Sequence, residues 1–489
     1  MTSKKLNESA LQSLPDNVAV PAYDRSTLKA GILHIGVGNF HRAHQAVYLN
    51  ELFSLGEDHD WALVGAGIKP YDVAMRDRLQ QQDWLTTVVE LDPDGLTAKI
   101  SGSMIDFVAI DPQAVVERLS SPEIRIVSLT ITEGGYFVDE ATGGFDHKHP
   151  EIIHDVEHPD APETVFGVLI AAIRKRRDAG IAPFTVMSCD NLPENGKIAR
   201  QAVLGLARDL SSDLGDWIEQ NVSFPNSMVD CITPATSDRE RAMVKDQFGI
   251  IDAAPVACEP FRQWVMEDKF PNGRPALEKV GVEFVADVAP YELMKLRILN
   301  GGHATIAYPS ALMGYHFVHD GMADPLVNGF LAKLEVSEII PTVPSVPGVN
   351  FMNYLATVRE RFSNSAVGDT IPRLCLDGSN RQPKFILPTI MDRLANEQTV
   401  DGLALEVALW CRYCAGTDDA GNAIELVDEK AARLTQHALQ AKDNPAAFLA
   451  MTDIFGPLSE NATFAAAFSQ ALNALWSKGT KATLQAYLA

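Results

Sequence analysis

With 41 Lys and Arg against 64 Asp and Glu, the 489-residue chain carries a formal charge of -23, which disfavours nucleic acid or an anionic membrane as a partner, because such surfaces are bound through clustered cations. A hydrophobic content of 46% and a charged content of 21% describe an ordinary folded protein, long enough for two or three domains with substantial cores. Residues 1–16 lack a signal-peptide core, no apolar run approaches the ~20 residues of a membrane span, and six cysteines are too sparse for a disulfide framework, so a reducing cytoplasm is expected.

In chain order, residues 1–28 form an arm in which Pro15 and Pro21 argue against a continuous helix. A short apolar strand, 31–35, leads into the turn Gly36-Val37-Gly38-Asn39-Phe40-His41-Arg42 and then a helical pattern over 42–55, with Ala43, Ala46, Val47 and Leu49 on its apolar side. The run 61–66 returns as a second strand, and this spacing favours a parallel, right-handed crossover. Strand-like runs at 86–91, 98–107, 124–131 and 184–188 alternate with helical patterns at 114–119, 164–179 and 195–210, the signature of a doubly wound sheet.

From about residue 290 helical patterns dominate: 291–313, 325–337, 350–362, 386–396, 403–414, 428–442, 445–451 and 463–476. The Pro-rich stretch 341–348 predicts an extended loop. The predicted fold is therefore α/β, with an N-terminal Rossmann-like, doubly wound domain over 1–289 and a mostly α-helical domain over 290–489.

Four stretches carry candidate chemistry. The turn from Gly36 to Arg42 can bring backbone N–H groups against a pyrophosphate, since glycine lets the backbone approach, although His41 stands where G-x-G-x-x-G has its third glycine; the other reading is a turn with no ligand. After the second strand, Asp72 is placed to bind the adenosine ribose hydroxyls, whereas Lys69 beside it suits a 2′-phosphate, so NAD leads and NADP stays open.

Directly after the strand 184–188, Asn191 can donate to an oxygen that gains negative charge, or it and Asp190 can simply cap the next helix. The run 291–303 has helical composition; at 3.6 residues per turn Lys295 and His303 lie about 80° apart, with Asn300 roughly 140° from Lys295. Three polar groups on one broad face suit either a polar substrate or solvent. Gly301-Gly302 favours close approach of a ligand or another backbone, since helical glycines cost roughly 1 kcal/mol each. The histidines at 147, 149, 154 and 158, and the pair His316 and His319, lack the cysteines of a zinc alcohol site, and Cys411-x-x-Cys414 reads as inert helix cysteines, so no metal is expected.

Taken together, these stretches resemble the polyol-specific long-chain dehydrogenases, the mannitol dehydrogenase family. The matching segments are Gly36-x-Gly38-x-Phe-His-Arg-Ala-His44, Ser128-Leu-Thr-Ile-Thr-Glu-Gly-Gly-Tyr136, Phe184-Thr-Val-Met-Ser-Cys-Asp-Asn191, Cys258-Glu-Pro-Phe-Arg-Gln-Trp264, Asn272-Gly-Arg-Pro275, the 295–303 run, Arg361-Phe-Ser-Asn364 and Asp377-Gly-Ser379. The resemblance implies a metal-independent, NAD-dependent oxidation of a secondary alcohol, D-mannitol to D-fructose first, with D-arabinitol or D-sorbitol as related substrates and a fructuronate-type hexuronate reductase as the rival. It implies Lys295 as general base, Asn191 and Asn300 at the developing alkoxide, His303 holding substrate, and Asp230, Arg373 and Arg381 on the distant hydroxyls. The family often has lysine where Arg381 stands, and a glutamate where Tyr71 precedes Asp72, a change that favours tolerance of NADP. Lys295 and Asn191 belong to different domains, so the chemistry is expected at their junction, in a monomer that binds a small polyol or ketose.

Overall fold

The computed structural model describes residues 3–139 and 142–489; of the N-terminal arm, Met1 and Thr2 lie outside the described residues. The chain divides into two compact units, Met1–Ala289 and Pro290–Ala489.

The first unit is organised by five parallel strands: β1 (Ala30–Ile35), β2 (Ala62–Ala66), β3 (Met104–Phe107), β4 (Ile126–Leu129) and β5 (Thr185–Ser188). Their spatial order is β3-β2-β1-β4-β5, so the strand order reverses beside β1, where the chain leaves for β2 on one side and β4 lies on the other. Alternation along the strands explains the two cores. Leu33, Ile35, Val64, Ala66, Val127, Leu129 and Val186 pack on one face with the helices Pro112–Ser120, Val165–Asp178 and Asn195–Leu210. Ile32, Leu63, Ile126 and Met187 pack on the other with Leu49, Leu52 and Phe53 of the helix Gln45–Ser54.

The expected doubly wound sheet is thus present, with differences in detail. The run 98–107 is two strands in two sheets, Thr97–Ser101 and β3, broken at Gly102. There the Asn50 side-chain oxygen accepts from the Gly102 N–H, and the Arg25 guanidinium donates to the carbonyls of Asp83, Gly102 and Met104, so side chains take the backbone groups a continuous ladder would use. Thr86–Glu90 pairs antiparallel with Thr97–Ser101 outside the parallel sheet. The helix expected over 42–55 is broken at His44 (φ -118°, ψ -89°) into Asn39–Ala43 and Gln45–Ser54. The His44 ring lies 4.7 Å from Phe40 and 5.3 Å from Trp264, and its Nε2 is 3.0 Å from the Gln263 carbonyl oxygen, contacts a local period cannot encode.

The second unit is helical, as expected. Its longest helix, Ala462–Leu488, is interrupted by Gly479 at φ 78° and packs on the buried helix Asp401–Cys414. Cys411 and Cys414 are both buried free thiols there. The predicted helix 291–313 is three consecutive pieces: Ala289–Met294, a π-helical turn Lys295–Asn300, and Gly301–Leu312. A second π-turn, Glu335–Ile339, ends the helix that begins at Pro325. No helix among the described residues is long and apolar enough to cross a membrane.

Candidate active site

In a parallel sheet of this order, ligands gather beyond the carboxyl ends of the strands where the order reverses. Four places stand at that edge: the predicted glycine turn after β1, Asp72 after β2 and Asn191 after β5, together with Thr130 to Thr132 after β4.

Two glycines of the turn have different reasons to be there. Gly36 sits at φ 96°, and a Cβ on it would meet the Thr130 carbonyl oxygen at 2.0 Å, so only glycine fits. Gly38 is exposed, and a Cβ there would meet nothing nearer than the Gly36 oxygen at 3.8 Å. This leaves its backbone open to a ligand's phosphates, and the cradle fits a dinucleotide. Below the turn lies a buried polar layer. The Thr130 hydroxyl donates to the Gly36 carbonyl at 2.6 Å, His34 bridges Ser128 (2.8 Å) and Thr130 (2.9 Å), and the His41 ring stacks on His34 at 3.4 Å. Burial pushes His34 down to about 3 and His41 well below its ordinary value, the neighbouring His34 and Arg42 adding to the second effect, so both rings are neutral near pH 7.

Arg42 is buried as well, and donates to the Gly38 and Ala254 carbonyls and to the Asn39 side-chain oxygen. His41 and Arg42 therefore brace the turn from beneath, while Val37 joins the core and Phe40 packs beside it. In the turn after β2, the Asp72 carboxylate accepts the Lys69 N–H at 3.0 Å and fills the space that a Cβ on Gly67 would take, 2.5 Å away. One of its oxygens is spent on the turn.

At the end of β5 sequence reasoning missed a positioning residue. Asp190 caps no helix, for the N-cap of Asn195–Leu210 is Glu194 with no side-chain cap bond. Its carboxylate instead accepts N–H bonds from Ile131 (3.0 Å) and Thr132 (2.9 Å) and the Tyr136 hydroxyl (2.6 Å), tying the segment after β4 to the base of Asn191. Thr132 is held at φ 66°, a strained value for a β-branched residue. Asn195 then ties the same loop to the strand Ser227–Asp230, exchanging bonds with the Ser227 backbone and so fixing the strand that ends in Asp230. The signal available in sequence was the Asp190-Asn191 pair itself, whose partners are some 60 residues upstream.

In the helical unit the π-turn changes the geometry of Lys295 and Asn300. The Gly301 N–H reaches the Leu296 carbonyl, five residues back. This i→i+5 pattern widens the turn, so residues five apart stand closer to one face than the roughly 140° separation expected of an α-helix. Lys295 is buried to 9% exposure. The turn is pinned by Arg297, which donates to the Thr342 carbonyl at 2.8 Å and pairs with Asp392. The His303 ring stacks on Phe362 at 4.2 Å. Gly302 faces Glu335, Leu331 and Phe362, each 3.4 Å from a Cβ built there, which is ordinary van der Waals contact between helices.

Arg373 pairs with Asp369 through two nitrogens, and Arg381, in the helix Gly378–Phe385, donates to the Leu374 carbonyl at 2.9 Å, so the two arginines sit on neighbouring helical turns. Arg373 lines a cavity of about 390 Å³ with Tyr315, Pro372, Cys375, Tyr413 and Glu425, a lining that includes none of Lys295, Asn300 and His303. Among the described residues, no cluster of three or more His, Cys, Asp or Glu side chains is arranged to hold a metal ion.

Comparison with known proteins bears on the same two units. Residues 30–279 match the model of the mannitol dehydrogenase Rossmann domain, and 287–476 that of the mannitol dehydrogenase C-terminal domain. Mannitol 2-dehydrogenase of Cereibacter sphaeroides is 56% identical over 475 residues, 97% of this chain and 99% of that protein. Among solved structures, a ternary complex of Pseudomonas fluorescens mannitol 2-dehydrogenase with NAD and D-mannitol is 44% identical, covers 99% of both chains and superposes with a TM-score of 0.86. A substrate-free D-sorbitol dehydrogenase is 36% identical, covers 98% of this chain and 100% of its own, and reaches 0.93. A glycine cradle in one unit, a lysine-bearing π-turn in the other and identity along nearly the whole length agree: this chain belongs to the mannitol dehydrogenase family.

Proposed function

We propose that the chain is an NAD-dependent polyol dehydrogenase that interconverts D-mannitol and D-fructose, with Met1–Ala289 binding the dinucleotide and Pro290–Ala489 supplying the base. The observation that carries this reading is the π-turn Lys295–Asn300, which has a buried lysine at its first position and an asparagine at its last. Lys295 Nζ, in its neutral form, takes the proton from the reacting hydroxyl of the substrate. Asn300 and Asn191 donate N–H bonds to the oxygen as its negative charge develops, a contribution realised mainly in the transition state. His303, fixed by its stack on Phe362, orients the substrate, and Asp230, Arg373 and Arg381 hold the hydroxyls further from the reacting carbon.

Bound NAD supplies the acceptor for the hydride that leaves the carbinol carbon. Gly36, Val37, Gly38 and Asn39 cradle its phosphates, Phe40, His41 and Arg42 support that cradle, and Asp72 takes the adenosine ribose. In this reading the enzyme works as a cytoplasmic monomer. The deciding experiment is a panel of D-mannitol, D-arabinitol, D-sorbitol, D-fructose and D-fructuronate with NAD(H) and NADP(H). D-mannitol with NAD is expected to be the fastest oxidation; absence of NADH formation from every hexitol and pentitol would sink the proposal.

A further inference from the structure

The turn after β2 holds two residues of opposite bearing on the cofactor. A carboxylate there favours a free ribose 2′-hydroxyl, whereas a cation favours a 2′-phosphate. Asp72 supplies the first and Lys69, whose own N–H binds the Asp72 carboxylate, supplies the second. By residue type the turn is ambiguous, and the ambiguity is resolved elsewhere. Lys69 Nζ lies 2.6 Å from Oε2 of Glu151, which comes from the first turn of the helix Pro150–Glu157, 82 residues downstream.

We infer that Glu151 is a specificity-determining residue for the dinucleotide: by holding and neutralising the Lys69 ammonium, it denies a 2′-phosphate the one cation in this turn and leaves Asp72 to select the unphosphorylated ribose. The inference rests on the dehydrogenase reading above. A 2′-phosphate approaching the turn meets the Asp72 carboxylate and a lysine already paired, so its charge goes uncompensated. With side chains 36% and 41% exposed, the pair adds little to folding stability, and this makes it separable from the fold. The same exposure leaves Lys69 free to turn toward a ligand once its partner is gone.

The test is direct binding, independent of turnover. Dissociation constants of NADH and NADPH, read from nicotinamide fluorescence, are to be compared for the wild type, Glu151→Gln, Glu151→Lys, Lys69→Met and the Glu151→Gln/Lys69→Met pair. Glu151→Gln is expected to shift the NADPH-to-NADH affinity ratio toward NADPH by about tenfold, the scale of one charge-assisted hydrogen bond. Glu151→Lys should shift it at least as far, and the double variant should abolish the gain. An unchanged ratio in both Glu151 variants, or a gain that survives removal of Lys69, overturns the inference while leaving the dehydrogenase assignment intact. A wild type that binds neither dinucleotide overturns that assignment, and this inference with it.

Discussion

A lysine serves as a general base only without its proton, and water stabilises the protonated form, so a catalytic lysine belongs where water is scarce. Lys295 meets that condition at 9% exposure, in a turn whose neighbours Ile298 and Leu299 are also buried. Replacing it with alanine removes the proposed proton acceptor and leaves every residue of the glycine turn unchanged. Lys295→Ala is therefore expected to lower kcat/KM for D-mannitol by roughly 10²- to 10⁴-fold, while NADH still binds by fluorescence titration. Near-normal turnover would remove Lys295 from the mechanism. Asn300→Ala should act on kcat more than on KM, by about 10²-fold, because the bond proposed for it matters most when the substrate oxygen is charged. An effect confined to KM would make Asn300 a substrate-binding group instead.

At the scale of elements, the glycines discriminate between turn and helix. Gly36→Ala forces a side chain to φ 96° and against the Thr130 carbonyl, so the variant should lose about 1–3 kcal/mol of stability and at least tenfold in NADH affinity. Gly302→Ala meets only 3.4 Å contacts on a helix and should raise the unfolding midpoint, with a gain of up to ~1 kcal/mol in stability. A destabilised Gly302→Ala would show that the Glu335 and Phe362 packing has no slack.

The contrast also marks how far the sequence could be read. Strand, glycine turn and the alternation of β and α were legible because they rest on local period and backbone sterics. The π-turn was not, since the 100° step assumed for every helical residue hides a register change, and the bond that Arg297 makes to the Thr342 carbonyl lies 45 residues away in the chain. Nor were the break at His44, the division of 98–107 at Gly102, or the role of Asp190, each of which is set by partners distant in the chain.

For the molecule as a whole, buried acids tie stability to pH in a direction opposite to the usual one. Glu406 is fully buried in the helix Asp401–Cys414; burial pushes its carboxyl up to about 8, only partly offset by the hydrogen bond that Gln382 donates at 2.7 Å. Glu335 is raised well above its ordinary value by burial alone, and neither carboxyl oxygen has a hydrogen-bond partner among the described residues. A folded-state pKa above the unfolded value means that the native chain keeps a proton the unfolded chain has released. Stability is then highest below pH ~4.5, as far as these two groups decide it, and falls as pH rises from there toward the folded pKa, by up to ~1.4 kcal/mol per unit for each group. At pH 7 Glu406 alone costs about 3 kcal/mol. Glu406→Gln keeps the shape and the polar contact with Gln382 but has no proton to lose. Its unfolding midpoint should therefore exceed that of the wild type at pH 7 to 8, with the difference shrinking toward about pH 5; a difference independent of pH would mean that Glu406 is already ionised in the folded protein and that its charge is compensated.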